Sequence, residues 1–238
     1  MITSLSVIFP IYNEEKRLLD CFKDIKKFLI NSKVKKLEFI FVNDGSTDNS
    51  FKIIKKFTST QKIKFKIINN KKNLGKGFAL KKGVLASKND WVLTLDTDIS
   101  VSLDEINRWI KKKYIKNNKI YFASRNLKSS NVEYKIHRKF IGLIFILLCR
   151  ILLGIKLSDT QCGFKLYEKK TAKKIFKILK ENRFAHDIEI VQISNRYKTK
   201  IIELPVKWVH KENSKINLIK DSLDIFFSLL KFRFRSKY

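Results

Sequence analysis

The chain has 238 residues, 44% of them hydrophobic, which is room for one sizeable core without disulfides or structural metal and too apolar for wholesale disorder. With 52 Lys and Arg against 22 Asp and Glu the formal charge is +30, which favours contact with polyanions or an anionic membrane surface. Only 2 prolines and 7 glycines exclude collagen-like and flexible-linker classes. In chain order, short runs dense in β-branched and aromatic residues at 5–9, 37–42, 63–68, 91–95 and 120–123 predict buried strands. Between the first two, Leu18, Phe22, Ile25 and Leu29 recur at helical spacing and predict an amphipathic helix. Further helices are predicted around 52–57 and over 77–86 and 103–115. Strand and helix alternating in this way argue an α/β fold, a mostly parallel sheet with helices on both faces.

Beyond residue 125 helical patterns dominate, at 137–154, 171–180 and 186–197, with one strand over 200–206. A last segment from about Ile216 carries Ile219, Leu223, Phe226, Phe227 and Leu230 on one face and ends in a tail of alternating bases and aromatics. The expected organisation is one domain over 1–215 and an amphipathic basic helix over 216–238. The longest apolar stretch, 140–155, is interrupted by Arg150 and is short of the ~20 residues a spanning helix needs, so it reads as buried or interfacial. Apolar faces flanked by Lys and Arg are the pattern of helices lying on a membrane. No signal-type segment is predicted. Cys21, Cys149 and Cys162 are widely spaced and lack a C-x-x-C pair, which fits a reducing compartment.

Open α/β sheets bind ligands beyond the carboxyl ends of their strands, and the polar punctuation falls there. The first strand runs into Pro10-Ile-Tyr-Asn-Glu-Glu15, the second into Asn43-Asp-Gly-Ser-Thr-Asp48 and the fourth into Asp96-Thr-Asp98. Residues i and i+2 of an extended chain point the same way, so Asp96 and Asp98 can face one hard cation, Mg²⁺ or Mn²⁺, whose shell is completed by water and phosphate oxygens. Ser46 or Asp48 can cap the following helix, and Asp44 can accept hydrogen bonds from a base edge. Glu14 and Glu15 carry two readings, as ligand groups or as charges favoured at a helix N-terminus. His137, His186 and His210 have no metal spacing, and Cys162 reads as packing.

Together the segments 7–15, 41–48, 73–77 and 95–98, with Ala123-Ser-Arg125, Asp159-Thr-Gln-Cys-Gly-Phe-Lys165, Asp187-Ile-Glu189, Glu203-Leu-Pro-Val-Lys-Trp208 and Asn213-Ser-Lys215, resemble the family 2 nucleotide-sugar glycosyltransferases of GT-A fold. Within them they are similar to the polyprenyl- (dolichyl-) phosphate branch, nearest its glucosyl type. The resemblance implies a metal-dependent hexosyltransferase with a nucleotide-sugar donor, UDP-glucose, and a polyprenyl-phosphate acceptor. Pro10, Tyr12, Glu14 and Asp44 would hold the nucleoside, and Asp96, Thr97 and Asp98 the metal and diphosphate. Lys76 would lie near the sugar nucleotide, and Arg125 and Lys215 would face phosphates. An acceptor with an isoprenoid tail stays in the bilayer, so the enzyme would be peripheral on the cytoplasmic face of a membrane. Two departures stand out: Asn213 where Gly is common, and Ala185-His186 where an aromatic is usual before Asp187.

The acceptor class divides the catalytic expectations. A hydroxyl acceptor needs a carboxylate base, Asp159 or Asp187, each of which can equally serve as a turn or helix-start residue. A lipid phosphate needs none, and cations such as Arg138 and Lys165 should then matter most. A nucleic-acid-binding module is the remaining alternative, motivated by the +30 charge and the Phe/Arg tail and lacking any recognition signature.

Overall fold

The computed structural model describes residues 2–61, 63–133, 136–211 and 218–234, without the side chains of 136–141 and 218–224. The strands are β1 (Ser4–Ile11), β2 (Lys36–Asp44), β3 (Phe65–Asn70), β4 (Trp91–Thr94), β5 (Ile120–Ser124), β6 (Asn131–Val132), β7 (Lys165–Glu168), β8 (Ile201–Pro205) and β9 (Lys207–Trp208). The helices are α1 (Leu18–Asn31), α2 (Ser50–Ser59), α3 (Lys76–Ala86), α4 (Asp104–Lys111), α5 (Ile136–Leu153), α6 (Lys169–Ile178), α7 (His186–Arg196) and α8 (Leu218–Phe234).

Seven strands make one sheet in the order β3-β2-β1-β4-β7-β5-β8, and β6 pairs with β9 in a small second one. The pairs β1·β2, β1·β4, β2·β3 and β5·β8 are parallel, whereas β7 runs antiparallel to both β4 and β5. Side chains alternate across the pleat as period 2 requires. Val7, Phe9, Phe39 and Phe41 enter a core shared with α1, α2 and α4. Ile8, Ile40 and Val42 enter the opposite core, shared with α3, α5, α6, α7 and α8. The expected helix–sheet–helix layering is what folds.

Several elements differ from expectation, among them the short strands β6 and β9, which were not expected. The helix expected to reach 115 stops at Lys111, because Lys113 turns to φ +55° and the amide of Tyr114 closes on the Trp109 carbonyl. Strand β3 starts at Phe65 rather than 63. Strand β7 was not expected at all: it is four residues long and begins with a lysine, the wrong residue for a strand covered on both faces. Lys165 is 2% exposed there, tolerated because its Nζ lies 2.9 Å from Asp187 Oδ1. The antiparallel β7 brings its own start, Lys165, beside the end of β4 at Thr94, and so draws the 159–164 loop across the carboxyl edge of the parallel strands.

Helix α8 packs against α5 and buries Leu229 and Phe232 beside Cys149, so it is fastened to the second core. The pair leaves Leu143, Ile144, Leu147 and Ile151 of α5, and Phe226, Phe227 and Phe234 of α8, exposed. Among the described residues no helix is long and apolar enough to cross a membrane.

Candidate active site

Two hollows meet at the carboxyl edge of the sheet, sharing Lys76, Asp96, Asp98 and Phe184. The first, about 340 Å³, is lined by Pro10, Tyr12, Glu14, Asp44, Lys76, Asp96, Thr97 and Asp98, so the residues assigned to nucleoside and diphosphate do converge. The second, about 190 Å³, adds Arg125 and Asp187 from the expected set, and Gln161, Cys162, Gly163, Phe184, His186, Trp208, His210 and Lys211 from outside it. Lys215 lies outside the described residues, as do the side chains of Arg138 and His137.

The loop after β1 is fastened to the loop after β2 by side chains. Asn13 sits at φ +55°, its amide donates to Ser46 Oγ at 3.0 Å, and its Oδ1 accepts from the Thr47 amide at 2.8 Å. Ser46 is therefore a loop staple and not the cap of α2; Asp48 accepts the Ser50 amide at 2.9 Å in a turn just before that helix. Glu15 accepts from the Asn49 amide at 3.0 Å, which gives it a structural role, whereas Glu14 faces the hollow and pairs with Arg17. Asp44 also acts on its own chain: its carboxylate accepts from Asn70 Nδ2 at 2.8 Å and from the amides of Leu74 and Gly75 at 3.0 and 2.7 Å. It thus holds the turn that leads into α3, where Gly75 takes φ +107° and a Cβ would collide with the Asn182 carbonyl.

Asp96 and Asp98 lie just past β4 in a turn, not on extended chain as expected, with Ile99 at φ +53°. They nevertheless face both hollows. Asp98 Oδ1 accepts the Ser100 amide at 2.9 Å, and Thr97 Oγ1 donates to the Pro10 carbonyl at 2.9 Å, tying this turn to the end of β1. Asp96 is pinned from two sides. Its Oδ1 meets Lys76 Nζ at 2.6 Å, and Gly163 backs against its carboxylate so closely that a Cβ there would lie 2.1 Å from Oδ2. Burial opposes the ammonium form of Lys76, but Asp96, Asp187 and Asp98 outweigh it and hold its pKa above the ordinary value. Among the described residues no three His, Cys, Asp or Glu side chains form a closed metal cage. Two carboxylates on one wall of an open hollow fit a hard divalent ion that arrives with phosphate oxygens of its own.

Asp187, on the wall of the second hollow, and Asp159, behind Arg125, are both already engaged. Asp159 takes Arg125 Nε and Nη2 at 2.7 and 2.9 Å and the amides of Gln161 and Cys162 at 2.9 and 3.2 Å. Asp187 takes Lys165 Nζ at 2.9 Å and His186 Nε2 at 3.1 Å. Burial would raise both carboxyls; the charge and hydrogen bonds of Arg125 reverse this for Asp159, and those of His186 and Lys165 reverse it for Asp187, leaving both below the usual range. Lys165 is absent from the wall of either hollow and meets Asp187 behind it. Burial pushes the Cys162 thiol up to about 11, consistent with packing. His186 and His210, which have no metal spacing, both line the second hollow, and the adjacency of His186 to Asp187 in the chain is the sequence signal for the former.

The two depressed carboxyls fix a pH dependence. The native protein keeps Asp159 and Asp187 ionised where the unfolded chain, with carboxyls near 3.9, takes up protons. Their contribution is full above about pH 4 and is lost as pH falls below it, with a slope of up to about 1.4 kcal/mol per pH unit for each group. Urea unfolding followed below about pH 4 should show Asp159→Asn and Asp187→Asn each flattening the decline; slopes equal to wild type would contradict the assignment.

The fold is that of solved GT-A glycosyltransferases. Glucosyl-3-phosphoglycerate synthase from Mycobacterium tuberculosis, crystallised with Mn²⁺, uridine diphosphate and phosphoglyceric acid, superposes with a TM-score of 0.73 at 16% identity over 98% of this chain and 80% of that one. TarS residues 1–349 from S. aureus superposes with a TM-score of 0.63 at 17% identity, over 97% of this chain and 64% of that one. The sheet order and its covering helices therefore define a GT-A fold. The model of the glycosyl transferase family 2 matches residues 6–176, and the chain belongs to that family. Similar proteins include the dolichyl-phosphate beta-glucosyltransferase of Dictyostelium discoideum, 34% identical over 97% of this chain and 74% of its own length. Those of Saccharomyces cerevisiae and Homo sapiens are 31% and 30% identical, over 92% and 89% of this chain and 71% and 69% of theirs.

Proposed function

We propose that this glycosyltransferase moves glucose from UDP-glucose to the phosphate of a polyprenyl lipid of the dolichyl class, with inversion at the anomeric carbon. The names of its relatives supply sugar, linkage and acceptor. The observation that carries the reading is that Asp159 and Asp187 are both engaged by cations. A hydroxyl acceptor must surrender a proton to a base, and carboxyls held below their usual range are poor ones. A phosphate monoester, with a second pKa of about 6, is already an anion at neutral pH and needs cations instead. Arg125 and Lys211 line the second hollow.

The nucleoside would sit in the first hollow against Tyr12, Glu14 and the wall held by Asp44, with the diphosphate toward Asp96 and Asp98. A Mg²⁺ or Mn²⁺ ion held by that pair would neutralise the leaving diphosphate as a Lewis acid. Lys76 and Arg125 would add positive charge where negative charge develops. By the resemblance Lys215 would join them. Offered Mn²⁺, UDP-glucose and either polyprenyl phosphate or the matching polyprenol, the purified protein should yield a glucosylated lipid phosphate by mass spectrometry and leave the alcohol untouched. Glucosylation of the polyprenol in preference would overturn the acceptor assignment.

The acceptor tail would approach along the α5/α8 surface, and the protein would then work on an anionic membrane surface, on the cytoplasmic face that the resemblance implies. A third hollow of about 270 Å³ is lined by Arg183 and Phe184, which also face the donor hollow, and by Ile225, Phe227 and Ser228 of α8. Exposed Leu147, Ile151 and Phe227 share helices α5 and α8 with exposed Arg150, Lys231 and Arg233, and exposed Lys156 follows α5. Replacing Leu147, Ile151 and Phe227 together by Ser should lower partitioning onto anionic vesicles by at least about tenfold, since losing the burial of even one large apolar side chain costs ~1.5–3 kcal/mol. Turnover of a short, water-soluble phosphate acceptor should persist. Unchanged vesicle binding would remove the membrane from the account.

A further inference from the structure

We propose that Lys76 is a built-in counter-ion that occupies Asp96 in the resting protein and releases it only when a divalent cation and a diphosphate arrive together, so that the two bind as a unit. This deepens the donor-site reading above and rests on it. The Lys76 Nζ–Asp96 Oδ1 distance is 2.6 Å, and Gly163 blocks retreat of the Asp96 carboxylate on the other side. Both partners remain reachable, with side chains 23% and 35% exposed. Lys76 heads α3 and lines both hollows, so its ammonium stands where the two spaces join.

The charges around the second hollow are balanced: Asp96, Asp98 and Asp187 face Lys76, Arg125 and Lys211. A cation arriving alone would meet Asp98 and an Asp96 already neutralised at close range. Drawing Asp96 away would also strand the Lys76 ammonium in a partly buried position. The neighbouring carboxylate, Asp187, offers little relief because Lys165 and His186 already hold it. A diphosphate changes this balance, since its oxygens give the displaced ammonium new acceptors. Lysine suits the exchange, being a compact charge on a flexible four-carbon stem whose three donors can turn from a carboxylate to a phosphate. By linkage, what diphosphate does for the cation, the cation does equally for diphosphate.

The test is Mn²⁺ binding, followed by the electron paramagnetic resonance signal of free aqueous Mn²⁺, with and without UDP, on the full-length protein. Wild type should bind Mn²⁺ at least about tenfold tighter with UDP than without it. Lys76→Met should raise UDP-free Mn²⁺ affinity by about fivefold or more and shrink the ratio between the two conditions. Lys76→Gln should do the same, and Lys76→Arg should stay near wild type, with thermal melts confirming that each variant is folded. If folded Lys76→Met and Lys76→Gln keep the wild-type UDP-free affinity while Mn²⁺ still binds with UDP, the counter-ion role is wrong and the donor site stands. If Mn²⁺ fails to bind wild type even with UDP, the donor-site reading falls along with it.

Discussion

Asp98→Asn is expected to lower kcat/KM by a factor on the order of 10³, with little change in thermal midpoint. The substitution separates two roles of one side chain. Asp98 Oδ1 accepts the Ser100 amide at 2.9 Å, a bond that the amide oxygen of Asn can keep, so the turn after β4 survives. What disappears is the negative charge facing both hollows, and with it one of the two hard oxygen ligands suited to a diphosphate-bound cation. The loss should fall mainly on kcat, because charge on the leaving diphosphate is greatest in the transition state. Steady-state kinetics beside a melting curve checks this; near-normal turnover by a folded Asp98→Asn protein would remove the aspartate pair from the mechanism.

Gly163→Ala should cost about 10²-fold in turnover by displacing Asp96. Its Cβ would lie 2.1 Å from Asp96 Oδ2 and 2.4 Å from Asp96 Cγ, so the carboxylate must move. The clash is with the end of a short side chain rather than with backbone, so the fold can absorb it while the position of Asp96 cannot. A displacement near 1 Å is enough for a loss of that size. Kinetics on a variant with a native circular-dichroism spectrum would show the effect; wild-type activity in Gly163→Ala would mean that the placement of Asp96 does not matter.

The parallel half of the sheet was legible because β1, β2 and β4 are nearly continuous apolar runs, a pattern that two-sided burial imposes on parallel strands. The first hollow was legible for the same reason: its polar residues are what remains when those runs stop. Strand β7 was hidden because its evidence is tertiary. Lys165 looks unsuited to a covered strand until Asp187, a residue of α7, is seen to meet it. The engagement of Asp159 by Arg125 and the closeness of Gly163 to Asp96 likewise join segments tens of residues apart, and no local spacing encodes them. The roles of Asp44 and Ser46 show the converse. Their motif was plain, but whether a carboxylate or hydroxyl faces a ligand or fastens its own loop depends on where the neighbouring amides lie.

A crystal soaked with Mn²⁺ and UDP, examined by anomalous scattering at the manganese edge, tests the central claim most directly. The account predicts a single strong peak between the Asp96 and Asp98 carboxylates and the diphosphate, with Lys76 Nζ moved from Asp96 to a phosphate oxygen. A peak elsewhere, or a nucleotide bound away from the turn after β4, would contradict it.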